Sequence, residues 1–162
     1  MTGRYPYRGF ADNVIYPTVD STSVFASTRV FNSVELGGNA DGMLGDEITM
    51  AETFKSAGYT TGLFGKWHLG DYGEYLPTNQ GFDYFYGSHY VNDMSPFYHV
   101  REENGQYTIA RGTDELKDQS NATKWIHDEI SNWITEQAKS DQPFFASYTA
   151  PWPHAPVDAG DV

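Results

Sequence analysis

The stretch "TMAETFKSAGYTTGLFGKWHLG", residues 49–70, joins a helix signal to a strand signal and so determines the fold class. Thr49 and Glu52 match a capping box, in which each side chain accepts the backbone N–H of the other residue, so a helix is predicted over about 49–57. The aromatic and β-branched residues that follow predict a strand over 59–69. Because a helix followed closely by a strand is typical of α/β proteins, we expect an α/β fold.

Two more elements follow from turn chemistry and apolar periodicity. Asn104-Gly105 readily adopts positive φ between β-prone residues, so an antiparallel hairpin is expected over roughly 97–110. In "ATKWIHDEISNWITEQAK", residues 122–139, apolar side chains recur along one stripe, which predicts an amphipathic helix. Ser120 or Asn121 is expected to cap its start, although Asn121-Ala122-Thr123 also fits an N-glycosylation acceptor.

The remaining segments are less regular. Residues 144–149 form an apolar run that predicts a strand, and a proline-stiffened loop follows it. The segment "PTNQGFDYFYGSHY", residues 77–90, has many glycine and aromatic residues and is interpreted as an ordered loop. Residues 9–45 are rich in Ser, Thr, Asn and Gly, which predicts a long loop with one short strand.

The composition excludes several classes of protein. The chain of 162 residues carries 10 Lys and Arg against 22 Asp and Glu, a net charge of −12. Such a charge repels phosphate, which argues against nucleic acid or an anionic membrane surface as a partner. The chain has no cysteine, so disulfides, thiolate metal sites and a cysteine nucleophile within it are excluded. No apolar run reaches the roughly eighteen residues of a membrane-spanning helix.

Three candidate site residues lie where predicted strands end. Side chains alternate between the faces of an extended strand, so Lys66 and His68 are expected on one face and Trp67 on the other. His154 follows the strand predicted near 144–149. Parallel strands present functional groups at their carboxyl ends, so Lys66, His68 and His154 are predicted to converge on one crevice. The alternative is that Lys66 and His68 are solvated residues at the end of a strand.

A lysine and two histidines suit the chemistry of a tetrahedral oxyanion. Lysine stabilises oxygens that gain charge in a transfer reaction, and histidine moves protons near neutral pH. The three residues therefore indicate hydrolysis of a sulfate or phosphate ester. The acidic pairs Asp12-Asn13 and Asn92-Asp93 lie in predicted loops, so no metal site is predicted within this chain.

The sequence around this predicted crevice resembles a known family. "GYTTGLFGKWHLG", residues 58–70, is similar to the second signature of the sulfatases. Further blocks agree with that family in order: "TGRYPYR" (2–8), "DEITMAETFKSAGY" (46–59), "PTNQGFDYFYG" (77–87) and "PFFASYTAPWPHAPV" (143–157). The resemblance implies the alkaline-phosphatase-like α/β sandwich in incomplete form, with a central mixed sheet flanked by helices.

The resemblance also implies a role for each candidate residue. Lys66 resembles the lysine that binds a sulfate oxygen, and His68 the histidine that contacts the hydroxyl of a formylglycine nucleophile. His154 resembles the histidine near the leaving-group oxygen, although Pro-Trp-Pro-His stands here in place of Ala-Pro-His. His89 follows a loop that lies towards the substrate opening in such enzymes. It is therefore an expected substrate-binding residue, beside Lys66 and His154.

The same resemblance places other catalytic groups outside residues 1–162. The formylglycine nucleophile is expected upstream of Met1, and the ligands of a calcium ion before and after the chain. We therefore expect residues 1–162 to be part of a sulfatase catalytic domain, without turnover on their own. Family habit implies an extracytoplasmic location, which is periplasmic, secreted or lysosomal, with any signal peptide outside this chain.

Three functions are compatible with these residues. The first is a sulfatase, whose partner is a sulfated small molecule or carbohydrate. The second is a phosphodiesterase or phosphonate monoester hydrolase of the same superfamily, because sulfuryl and phosphoryl transfer share their geometry. The third is a non-catalytic product or a module that only binds anions. A Cys or Ser of the nucleophile motif just upstream of Met1 would favour the first function, and a Thr would favour a phosphatase-type relative.

Overall fold

The computed structural model describes residues 42–43, 45–71, 73–90, 97–112 and 119–154. The loop predicted over 9–45 lies almost wholly outside these ranges, and so do both acidic pairs considered as metal ligands. In the described residues, no helix has the length and apolar character needed to cross a bilayer.

The described chain contains two α-helices and five strands. In order, they are helix α1 (Met50–Ser56), strand β1 (Thr60–Lys66), two 3₁₀ turns (Gly73–Tyr75 and Pro77–Asn79), β2 (Tyr84–Ser88), β3 (His99–Glu103), β4 (Gln106–Arg111), helix α2 (Gln119–Gln137) and β5 (Phe144–Thr149). The strand predicted over 144–149 is confirmed, and β3 and β4 confirm the hairpin.

The five strands form one mixed sheet in the order β4-β3-β2-β1-β5. β1 lies in the middle of a parallel group, with β2 on one side and β5 on the other. β3 runs antiparallel to β2, and β4 antiparallel to β3. A mixed sheet flanked by helices is the architecture that the sequence predicted.

The start of α1 confirms the predicted capping box. The Glu52 backbone N–H donates to Thr49 Oγ1 at 3.0 Å, and the Thr49 N–H donates to Glu52 Oε2 at 2.7 Å. The Thr49 hydroxyl also donates to the Gln80 carbonyl at 2.9 Å. The same side chain thus caps the helix and holds the loop before β2 against it.

Neighbouring residues of β1 pack on opposite faces of the sheet. Leu63 lies in a core cluster with Ala51 of α1, whereas Phe64 lies in a second cluster with Ile126 of α2. Leu63 and Phe64 are both fully buried. Because adjacent side chains of a strand point to opposite faces, α1 and α2 cover opposite faces of the sheet.

Two predictions about regular structure are wrong. Residues 77–90 are not a loop throughout, because Tyr84–Ser88 forms β2. The backbone of β2 pairs with β1 on one side and β3 on the other, which makes this segment a central strand although Gly87 interrupts its sequence pattern. Within the described residues, helix α2 spans Gln119–Gln137, so Ser120 and Asn121 lie inside the helix and not at the position before it. The N-glycosylation acceptor remains a prediction.

Candidate functional site

The carboxyl ends of three adjacent parallel strands carry the predicted site residues. Lys66 is the last residue of β1, and His68 follows it closely. His89 directly follows β2, and His154 lies in the loop after β5. β2, β1 and β5 are neighbours and run in the same direction. All four residues therefore lie in segments at the edge of the sheet that is formed by the carboxyl ends of these strands.

The backbone at the end of β1 is held tightly between its neighbours. Gly65 has φ +113°, and a Cβ there would lie 2.0 Å from the Thr149 carbonyl oxygen of β5. Its partner in β2, Gly87, has φ +155°, and a Cβ there would lie 1.9 Å from the Gly65 oxygen. The Thr149 hydroxyl donates to the Lys66 carbonyl at 2.6 Å. The position from which the Lys66 side chain leaves the sheet is therefore fixed by both neighbouring strands.

The chain leaves the extended conformation two residues after β1. His68 has φ +65°, in the left-handed region that non-glycine residues rarely adopt. Its backbone N–H donates to the His89 carbonyl at 2.7 Å, and its ring meets the edge of Tyr90 at 5.3 Å between centroids. Strand alternation therefore describes Lys66 and Trp67 but does not extend to His68, because β1 ends at Lys66.

Trp67 anchors this turn in the core. Its side chain is 4% exposed and belongs to the cluster that contains Leu63. The indole Nε1–H donates to the Tyr75 carbonyl at 2.8 Å. Lys66 and His68, on either side of it, are half-buried. The sequence prediction that Trp67 points away from Lys66 agrees with this packing.

His89 occupies a buried position, and Glu102 of β3 is beside it. The His89 side chain is 2% exposed and the Glu102 side chain 0%, with 3.4 Å between His89 Nε2 and Glu102 Oε2. Sequence reasoning missed Glu102. The only hint in the sequence was the two-residue spacing of Val100 and Glu102 in the predicted hairpin, which places both on one face of a strand. The structure buries both of them.

His154 approaches the same edge from β5. The loop that carries it contains Trp152, which packs against the buried residues Phe97 and Ala122. His154 itself is half-buried. The proline-rich approach to His154, which differs from the family pattern, is thus held to the core by a tryptophan.

His99, at the start of β3, is a second buried imidazole. It is fully buried, and its ring packs against those of Tyr86 and Phe97. Burial, together with the nearby positive charge of Arg111, lowers the His99 pKa to about 4. The ring is therefore neutral at physiological pH.

No three His, Asp or Glu residues are grouped as metal ligands within the described ranges. The described side chains therefore do not fit a calcium site. What they provide at this edge is a lysine and two half-buried histidines, which can bind an anion and exchange protons with it.

The chain is similar to known proteins in sequence and in structure. The sulfatase family model matches residues 1–161. Arylsulfatase G of Homo sapiens is 46% identical over 67 residues, covering 41% of this chain and 12% of that protein. The N-acetylgalactosamine-6-sulfatase of Mus musculus is 29% identical over 168 residues, covering 98% of this chain and 30% of that protein. The crystal structure of the PsFucS1 sulfatase from Pseudoalteromonas sp. matches with a TM-score of 0.72 at 21% identity, covering 96% of this chain and 33% of that one. The chain thus spans no more than about a third of these proteins.

Proposed function

Because the chain belongs to the sulfatase family, we propose that it forms part of a catalytic domain that hydrolyses sulfate esters to an alcohol and inorganic sulfate. One observation carries the proposal. β1 and β5 are adjacent and parallel, so the segment with Lys66 and His68 and the segment with His154 leave the same edge of the sheet. These three side chains suit a small tetrahedral anion as their ligand.

Each of the three side chains has one proposed task. The Lys66 ammonium binds an oxygen of the sulfuryl group and stabilises the negative charge that grows there. His68 orients the hydroxyl of the attacking group, and His154 donates a proton or a hydrogen bond to the leaving oxygen. The family resemblance implies a formylglycine hydroxyl as the attacking group and a calcium ion as added positive charge. We propose that residues outside the described ranges supply both.

The proposed substrate is an aryl or carbohydrate sulfate. Two relatives carry names of this kind, arylsulfatase G and N-acetylgalactosamine-6-sulfatase. The net charge of −12 disfavours nucleic acid and anionic membrane surfaces as partners. We further propose that the protein acts outside the cytoplasm, in the periplasm, the lysosome or the medium, as the resemblance implies.

His89 has less support as a substrate contact than the other three residues. Its ring is stacked on Phe85 at 5.5 Å between centroids, and Glu102 lies at its Nε2. A side chain that is 2% exposed offers almost no surface to a ligand. Its burial therefore disfavours direct contact with the substrate.

The proposal is tested by single substitutions in the complete polypeptide that carries these residues. Lys66→Met and His154→Asn keep much of the side-chain volume but remove the charge and the titrating ring. We expect each to lower kcat for a chromogenic aryl sulfate by about a hundredfold or more, the loss typical when one group that stabilises transition-state charge is removed. The measurement is steady-state hydrolysis at saturating substrate.

Matched controls come from the exposed side of α2. Lys124→Met and His127→Asn make the same chemical changes at exposed positions, and kcat should stay within about twofold of the wild type. An aryl phosphate assayed in parallel distinguishes the phosphodiesterase alternative. If Lys66→Met and His154→Asn retain wild-type kcat, or if phosphate esters turn over faster than sulfate esters, the proposal is wrong.

A further inference from the structure

A buried carboxylate lies next to the segment that holds His68. Glu102 is fully buried, and its Oε1 accepts hydrogen bonds from the Thr78 backbone N–H at 2.8 Å and from the Thr78 hydroxyl at 2.5 Å. Its Oε2 faces His89 Nε2 at 3.4 Å. A buried carboxylate is costly unless it is paired and hydrogen-bonded. Thr78 and His89 together supply the groups that this carboxylate needs.

The contact between Glu102 and His89 holds the His89 ring in one orientation. The ring is stacked on Phe85, and the edge of Tyr107 meets it at 5.3 Å between centroids. Among the described residues, His89 Nδ1 has no hydrogen-bond partner. When Nε2 carries the ring proton, its N–H donates a hydrogen bond to Glu102 and Nδ1 is left as an acceptor. The carboxylate thus also selects the tautomer of the His89 ring.

The backbone of His89 in turn holds His68. The His89 carbonyl accepts the His68 N–H at 2.7 Å, and the Ser88 carbonyl accepts the Trp67 N–H at 3.1 Å. His68 sits at φ +65°, a conformation that costs energy in any residue with a side chain and persists only when its surroundings impose it. The hydrogen bond to His89 is one such constraint.

We infer that Glu102 and His89 are positioning residues for His68: the buried pair fixes the segment after β2, and the His89 carbonyl then fixes the backbone from which the His68 imidazole projects. This inference rests on the proposed role of His68 in hydrolysis. A displacement of about 1 Å at a reacting group is enough to cost about a hundredfold in rate, so a buried pair without substrate contact has a measurable effect on catalysis.

The test uses Glu102→Gln in the complete polypeptide, with Glu103→Gln as its matched control on the same strand. Glu103 is exposed, so its substitution makes the same chemical change without touching the pair. For Glu102→Gln we expect kcat to fall by about 10- to 100-fold while KM changes by less than about threefold, because His68 acts on the attacking group and does not bind the ester. Glu103→Gln should match the wild type.

A second readout separates positioning from stability. NMR spectra of histidine-labelled protein, with the His68 ring signals assigned by a His68→Asn variant, should show those signals moved by Glu102→Gln and by His89→Gln but not by Glu103→Gln. A lowered melting temperature with unchanged kcat and unmoved His68 signals would overturn the inference, since Glu102 would then only stabilise the fold. If His68 signals move but Lys66→Met and His154→Asn leave hydrolysis intact, the proposed function fails while the positioning remains.

Discussion

At the scale of single residues, buried imidazoles are the most informative feature of this chain. His89 has a carboxylate beside it, whereas neither ring nitrogen of His99 has a hydrogen-bond partner among the described residues. A charged imidazole is disfavoured in such surroundings, which is why burial lowers the His99 pKa to about 4. The two residues show that the same side chain serves different purposes in one sheet.

The lowered pKa of His99 predicts a pH dependence of stability. Its folded pKa of about 4 lies below the value of about 6.5 for an unfolded chain, so the unfolded state binds more protons between these values. Stability is fully present above about pH 6.5 and is lost as the pH falls towards 4, by about 3 kcal/mol. We expect His99→Phe to abolish this part of the acid sensitivity, measured as the free energy of urea unfolding at about pH 7 and about pH 4.5.

Acidic residues contribute their own pH dependence, so the comparison is between variants. His127→Phe changes an exposed histidine of α2 and should leave the acid sensitivity as in the wild type. If wild type and His99→Phe lose the same free energy of unfolding on acidification, His99 is not the group responsible.

Sequence reasoning selected Lys66, His68 and His154 because charged and proton-carrying side chains followed apolar strands, and their roles in catalysis stay predictions. Glu102 did not stand out, since an acidic residue is usually solvated. Its burial depends on Thr78 and His89, which come from other segments of the chain.

At the scale of elements, α1 is the clearest case of local sequence determining local structure. Its N-cap Thr49 is nearly fully buried. The Thr49 hydroxyl makes two hydrogen bonds, one with the Glu52 N–H of the helix and one with the Gln80 carbonyl. The cap satisfies a backbone N–H that the helix leaves unpaired. The second contact fixes the loop that leads to β2.

Removal of this hydroxyl should therefore cost more than the loss of an ordinary cap. For Thr49→Ala we expect a decrease of about 2 kcal/mol in the free energy of unfolding, about 1 from the cap and about 1 from the buried hydrogen bond. Thr49→Ser retains both bonds and should recover most of this. Ser56→Ala, in the exposed last turn, serves as the control. A loss for Thr49→Ala no larger than that of Ser56→Ala would show that neither contact contributes.

The elements that sequence reasoning found are those with local signals. The capping box, the Asn104-Gly105 turn and the apolar stripe of α2 each depend only on residues that are close together in the sequence. β2 was missed because the glycine and aromatic residues of 77–90 look irregular, and because its strand character comes from pairing with β1 and β3. Tyr84, Phe85 and Tyr86 do alternate between the two core clusters, which is the period-two signal of a strand.

At the scale of the whole molecule, the two outermost strands of the sheet differ from each other. Within the described residues, β4 and β5 are the outermost strands. β5 reads FFASYT without a charge, and Tyr148 on it is 48% exposed. Tyr148 also lines a groove with Ile130 and Ile134 of α2. An uncharged, partly apolar edge strand is prone to pair with another copy.

We therefore expect the 162-residue chain to self-associate through β5. Tyr148→Lys places a charge on that strand, in the way natural proteins protect their edges, and should raise the monomer fraction measured by size-exclusion chromatography with light scattering. Thr108→Lys adds the same charge to the exposed strand β4 and should have little effect. Equal gains from both substitutions would mean that net charge, and not the β5 edge, governs association.

The site as a whole was beyond sequence reasoning in one respect. Nothing in the chain states that β1 and β5, far apart in sequence, are neighbours with β1 in the centre. The predicted convergence of their ends came from the general rule for parallel strands in α/β sheets, which does not specify which strands are neighbours. The left-handed turn at His68 was also unforeseen, because no glycine or asparagine marks it.

That turn changes how substitutions at His68 should be read. Histidine and alanine both carry a Cβ and both pay for the left-handed backbone, so His68→Ala removes the imidazole and leaves that cost in place. Glycine removes the imidazole and the backbone cost together, so the difference between the alanine and glycine variants measures the backbone cost alone.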